Sequence, residues 1–161
     1  MMKKLAILLS TGFGLGYSPL FPGSVGCLLG LPLVWIIQQT GHHLGREIPF
    51  HITVAVLLSL IAIPICHAGE KAAGSKDPHC VVADEYLTFP ISMIALPFTP
   101  VMIAISFITN RILDIIKPYP ARQLQALPGG LGITIDDVFS ASYSLVLNHA
   151  AYWFLRHQGW L

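Results

Sequence analysis

Long reaches of the chain carry no charge. Leu5 to Gly45, Ile48 to Gly69, Tyr86 to Asn110 and Val138 to Leu155 contain no Asp, Glu, Lys or Arg, so four apolar blocks are joined by short charged segments. No block alternates apolar with polar residues, and no Asn-Gly or Asp-Gly hairpin turn occurs, so the helical period wins over the strand period. A bilayer crossing takes about 20 predominantly apolar residues. The third block meets that length, the second and fourth approach it, and the first offers Val25 to Gln39 after a glycine-rich opening. The pattern predicts an all-α fold: a compact, membrane-embedded bundle of five or six helices. Pro64, Pro97 and Pro100 are expected to kink these helices, which packed membrane helices tolerate. Gly26 and Gly30 form a small-residue face for close helix contact.

Local chemistry places some boundaries. Ser24 after Pro22-Gly23 is a candidate N-cap, and Asp77 is another, with Pro78 at the first helical position. Gly74, Gly129 and Gly130 suit helix stops or loops. Leu5 to Leu9 reads as strand-like. No repeat, linker or low-complexity segment divides the chain, so residues 1–161 are expected to form a single domain. Lys3 and Lys4 before an apolar run have the outline of a secretory signal, but no small-residue cleavage site follows, and the N-terminus is expected to be retained.

Composition sharpens the membrane reading. Of 161 residues, 54% are apolar and 11% charged, against roughly 25% charged in an ordinary soluble domain. A disordered tail and a generic soluble enzyme are excluded, and much of the surface is expected to meet lipid or protein. Nine Lys and Arg against eight Asp and Glu give a formal charge of +1, which offers nothing to attract nucleic acid. Cys27, Cys66 and Cys80 contain no CxxC pair and read as buried free thiols. Trp35, Trp153 and Trp160 suit interfacial belts or packing.

Acidity is concentrated in the joints. Seven of the eight carboxylates (Glu70, Asp77, Asp84, Glu85, Asp114, Asp136 and Asp137) lie in less than half of the chain. The adjacent pairs Asp84-Glu85 and Asp136-Asp137 each follow apolar sequence, where like charges repel unless a cation joins them. Hard oxygen ligands without a Cys pair suit Mg²⁺, which leaves coordination positions for water and substrate phosphate. The bland alternative for either pair is a solvated helix end. Asp77 precedes Asp84 by two helical turns and either joins the same site or serves as the cap. His67 and His79 flank the acids and are candidates for proton relay.

The third joint runs from Arg111 through Asp114 and Lys117-Pro118-Tyr119-Pro120 to Arg122. The three-residue spacing puts Arg111, Asp114 and Lys117 on one helical stripe, and the prolines end the helix stiffly. Such an end can aim Lys117 and Arg122 at a phosphate, the alternative being a surface ion pair with positive-inside anchoring. The glycine-rich opening fits neither GxGxxG nor a P-loop, so no nucleotide cofactor is expected. The helix start near Ser24 can still receive a phosphate oxygen.

Together these segments resemble the phosphatidylglycerophosphatase A family. The resemblance rests on Pro22-Gly23-Ser24-x-Gly26, Asp77 with Asp84-Glu85, Lys117-Pro118-Tyr119-Pro120-x-Arg122, and Gly129-Gly130-x-Gly132-Ile133-x-x-Asp136-Asp137, and covers about Gly12 to Ala141. It implies an all-helical, Mg²⁺-dependent enzyme of the bacterial inner membrane, its active site facing the cytoplasm. The implied reaction removes the terminal phosphate of phosphatidylglycerophosphate, giving phosphatidylglycerol and inorganic phosphate. The family usually has Ser at Cys27 and commonly Gly where Leu87-Thr88 stand; neither departure removes a charged residue.

The expected site follows. Asp84, Glu85, Asp136 and Asp137 would hold one or two Mg²⁺ ions; Lys117, Arg122 and Ser24 would bind phosphate; Asp77 would be a further ligand or base. The absence of DxDx[TV] and of Cys-x5-Arg favours direct attack by water. Two rivals remain from the residues alone: a transporter whose intramembrane carboxylates bind cations, and a noncatalytic membrane interaction protein using Gly26 and Gly30.

Overall fold

Seven α-helices and two 3-10 turns form the computed structural model, which describes residues 2–160, Met2 without its side chain. The helices are α1 (Met2–Ser10), α2 (Pro22–His43), α3 (Glu47–Ala73), α4 (Ala83–Thr88), α5 (Pro100–Ile116), α6 (Ala121–Leu124) and α7 (Gly130–His157), with 3-10 turns at Leu15–Tyr17 and Phe89–Met93. No strand occurs among the described residues, so the all-α expectation holds, with more helices than the five or six foreseen. The excess arises in the third apolar block, which is not one continuous helix. Pro90 enters the second 3-10 turn, and Pro100 opens α5 behind Thr99, whose Oγ1 accepts from Met102 N–H at 3.3 Å. Apolar length alone does not register these prolines, each of which lacks the N–H that a continuous helix needs.

Three smaller expectations are also corrected. Leu5 to Leu9 is helical in α1, consistent with its Leu and Ala content. Ser24 lies inside the first turn of α2; Phe21 is the N-cap residue and no side chain caps the helix. Asp77 begins no helix and stands in a bend with φ of 47°. Gly74 does stop α3 in the left-handed conformation, whereas Gly129 and Gly130 introduce α7.

α2 and α3 are 22 and 27 residues long, enough to cross a membrane. Only 28% and 22% of their most apolar windows are buried, whereas a core helix of a soluble protein would be mostly enclosed. Leu28, Trp35 and Ile36 of α2 and Val56, Leu57, Leu60 and Ile61 of α3 face outward. Outward apolar surface of this extent is suited to lipid or to a protein partner.

Close backbone approach sets the position of α4. A Cβ on Gly26 would lie 2.7 Å from Val82 Cβ, and one on Gly30 the same distance from Phe89 Cβ. The small-residue face of α2 is thus occupied by this chain's own α4 region. Below it, Cys27, Val34, Phe89 and Met93 form one core cluster; Ala62, Cys66, Val81, Ala83, Tyr86, Leu87 and Ile133 form another. Leu87 is therefore a core residue. Between α5 and α7, Thr109 donates to Asn148 Oδ1 at 2.7 Å and lies 2.7 Å from Ser144 Oγ, while Asn148 Nδ2 donates to the Ser92 carbonyl at 2.9 Å. This seam ties the broken helical region to α7.

Candidate active site

α4 is short, begins with an acidic first turn, and presents Asp84 and Glu85 beside the start of α2. That packing requires glycine at residue 23: a Cβ there would lie 2.2 Å from Glu85 Oε1 and 2.7 Å from Arg111 Nη2. The C-terminal end of α5 brings Arg111 and Asp114, and Lys117 caps it in the left-handed conformation with φ of 48°. The first turns of α7 add Asp136 and Asp137. These elements enclose a cavity of about 380 Å³ whose lining includes Ser24, Asp77, Asp84, Glu85, Lys117, Asp136 and Asp137. Four charged joints separated by as many as 60 residues thus converge on one volume.

One expected member is not there. Arg122 lies on α6, exposed and outside the cavity lining, because the chain turns at Pro118 and Pro120 before α6 begins. Its place as the second cation is taken by Arg111, which the three-residue stripe marked only as an ion-pair partner. Arg111 Nη1 is 3.0 Å from Asp114 Oδ2 and 3.2 Å from Glu85 Oε2, and lies 3.8 Å from Cys27 Sγ. The Glu85 contact is a charge pair at an angle that leaves Oε2 without a hydrogen bond. Lys117 Nζ donates to Asp136 Oδ2. Asp77 Oδ2 accepts from Gln125 Nε2 at 2.8 Å, a role in place of the expected cap. His79 lines the cavity, but His67 does not; its ring lies against Gly129.

Burial governs the acids. It raises the Asp84 carboxyl well above its ordinary value, and neighbouring Glu85 and Asp77 push the same way. Burial raises Glu85 to about 7, against the opposing pull of the Arg111 guanidinium. A bound cation would reverse this by favouring the charged forms.

The unpartnered oxygens bear on what can bind. Asp84 Oδ1, Glu85 Oε2 and Asp136 Oδ1 are buried without a hydrogen-bond partner, a costly condition in a finished core. All three are hard oxygen ligands on residues that line the same cavity, a donor set whose chemistry suits a divalent cation such as Mg²⁺. No group of three His, Cys, Asp or Glu side chains converges tightly enough among the described residues to cage a metal alone.

A second cavity of about 390 Å³ lies at the opposite ends of α2 and α3, lined by Gln38, His42, Glu47, His51 and Tyr152 among others. Its one carboxylate, Glu47, contacts His42 Nδ1 at 2.6 Å, and no Lys or Arg lines it. It lacks the charges that phosphate chemistry needs.

Comparison with known proteins agrees with the geometry. The family model described as Phosphatidylglycerophosphatase A matches residues 8–152. A Phosphatidylglycerophosphatase A of Escherichia coli is 33% identical over 154 residues, covering 93% of this chain and 83% of that protein. Its namesake from Haemophilus influenzae is 32% identical over 162 residues, covering 96% of each. A Bacteroides thetaiotaomicron protein, provisionally named a phosphatidylinositol-3-phosphatase, is 34% identical over 157 residues, covering 92% of this chain and 94% of that one. No solved structure matches the chain. The chain belongs to the phosphatidylglycerophosphatase A family.

Proposed function

We propose that this chain hydrolyses the terminal phosphate of phosphatidylglycerophosphate by metal-assisted attack of water, at the cytoplasmic face of a bacterial inner membrane. Family membership supports the reaction. The observation that carries the metal assistance is the set of buried, unpartnered carboxylate oxygens of Asp84, Glu85 and Asp136 in a cavity that also holds Lys117 and Arg111.

Asp84, Glu85, Asp136 and Asp137 are the residues that would hold Mg²⁺, which when bound supplies charge neutralisation and an acidified water. Lys117 and Arg111 face the phosphoryl oxygens as point charge and fork, and their carboxylate partners keep them in place before substrate arrives. The first-turn N–H groups of Gly23 and Ser24 have no acceptor within α2 and add partial positive charge on the same side. Asp77 carries no ion pair among the described residues and sits at the cavity, suited to take the proton of the attacking water. Water forms the new P–O bond, the bond from phosphorus to the glycerol oxygen breaks, and that oxygen leaves with a proton as phosphatidylglycerol.

Phosphate release by purified protein in detergent tests the reading, with phosphatidylinositol 3-phosphate as comparison lipid. Release from phosphatidylglycerophosphate with Mg²⁺ that EDTA abolishes is the expected result. Release indifferent to EDTA would remove the metal roles, and no release from folded protein would remove the reaction.

A further inference from the structure

The cavity gathers charged side chains, and two strongly exposed apolar side chains stand in its wall. Phe21, the N-cap residue of α2, is 76% exposed, and Ile115, in the last turn of α5, is 75% exposed; both line the cavity. Phe21 holds this place with φ of 51°, an unfavourable backbone conformation for an aromatic residue. Each side chain is also the end of a longer track. Exposed Val101, Ile108, Ile112 and Ile115 recur at spacings of seven, four and three and make one outward stripe along α5. α2 also turns exposed Leu28, Trp35 and Ile36 outward, so both helices that bring an apolar residue to the cavity wall carry outward apolar surface.

The geometry points to a lateral lipid gateway: Phe21 and Ile115 admit the diacylglycerol part of the substrate, whose acyl chains lie along the α2 and α5 faces while its phosphate enters the cavity. This inference rests on the proposed lipid phosphatase reaction and adds the residues that make it select a membrane phosphomonoester over a soluble one. The occupant is argued from continuity: a headgroup held at Asp84 and Lys117 must send its chains out of the same cavity. The apolar wall members are where that passage costs least water contact. Both side chains are already solvent-exposed in the absence of lipid, so burying them against acyl chains adds favourable apolar contact.

The test compares kcat/KM for long-chain phosphatidylglycerophosphate in mixed micelles with that for glycerol 3-phosphate, in wild type, Phe21→Ser, Ile115→Ser and Ile61→Ser. Ile61, exposed on α3 away from this track, controls for loss of outward apolar surface. The lipid-to-soluble ratio is expected to fall about tenfold in each gateway variant and to stay at the wild-type value in Ile61→Ser. In wild type, kcat/KM is expected to rise with acyl length, and both gateway variants to flatten that rise. An unchanged ratio in both, or equal losses on both substrates, would overturn the gateway. Absence of lipid hydrolysis in wild type would instead overturn the underlying reaction.

Discussion

Two sets of polar groups inside the molecule are treated in opposite ways. In the seam between α5 and α7, Thr109, Ser144, Asn148 and the Ser92 carbonyl hydrogen-bond to one another. In the cavity, Asp84, Glu85 and Asp136 each keep an oxygen without a hydrogen bond. The seam spends its polar atoms on holding the prolines' broken helix to α7, a common use of Ser, Thr and Asn between apolar helices. The cavity leaves them open to a ligand. Ser106 Oγ, Asn110 Oδ1 and Thr134 Oγ1 are also buried without a partner outside the cavity lining, so what distinguishes the cavity is that its open oxygens belong to carboxylates.

The strongest test of the contrast exchanges charge for an isostere in the cavity. Asp84→Asn or Asp136→Asn is expected to lower kcat for phosphate release about 10²–10³-fold with the fold intact, checked by thermal unfolding in detergent. Gly23→Ala, which would drive a methyl into Glu85 and Arg111, is expected to cost about 10²-fold in kcat/KM by displacing both. Thr109→Val breaks the seam instead: a loss of about 1 kcal/mol of stability with activity per folded molecule near wild type. Comparable activity loss in Thr109→Val and Asp84→Asn would erase the distinction between the regions.

A smaller effect separates open acids from satisfied ones by pH. Glu85 titrates at about 7 in the folded protein against 4.5 ordinarily, so between those values the folded state holds a proton that the unfolded chain has lost. Stability of metal-free protein is therefore expected to fall as pH rises from about 5 to about 7, measured by thermal unfolding, and Glu85→Gln to flatten that slope. The smallest expected effect is at Arg122→Gln: less than about a threefold change in kcat/KM, since the exposed guanidinium is outside the cavity.

Much of the site was legible in the sequence because charge is rare in this chain. Carboxylate pairs inside apolar sequence stand out, and Asp84, Glu85, Asp136 and Asp137 do share one cavity. Arg111 is not legible as a site residue because its spacing to Asp114 is that of an ordinary surface pair; its partner Glu85, 26 positions earlier, becomes visible only in the folded chain. Arg122 looked equivalent to Lys117 because residue order does not show the turn of the chain at Pro118 and Pro120. The helical class followed from the lack of alternation, whereas the single third span did not survive Pro90, Pro97 and Pro100, which hydropathy counts as merely uncharged positions.

The most direct measurement of the central claim is Mn²⁺ binding followed by loss of the free ion's electron paramagnetic resonance signal, with Mg²⁺ as competitor, in wild type, Asp84→Asn and Asp136→Asn. Saturable binding that Mg²⁺ displaces and that both substitutions weaken at least about tenfold is the predicted result. Binding of equal strength in all three proteins, or none in folded wild type, would contradict the account.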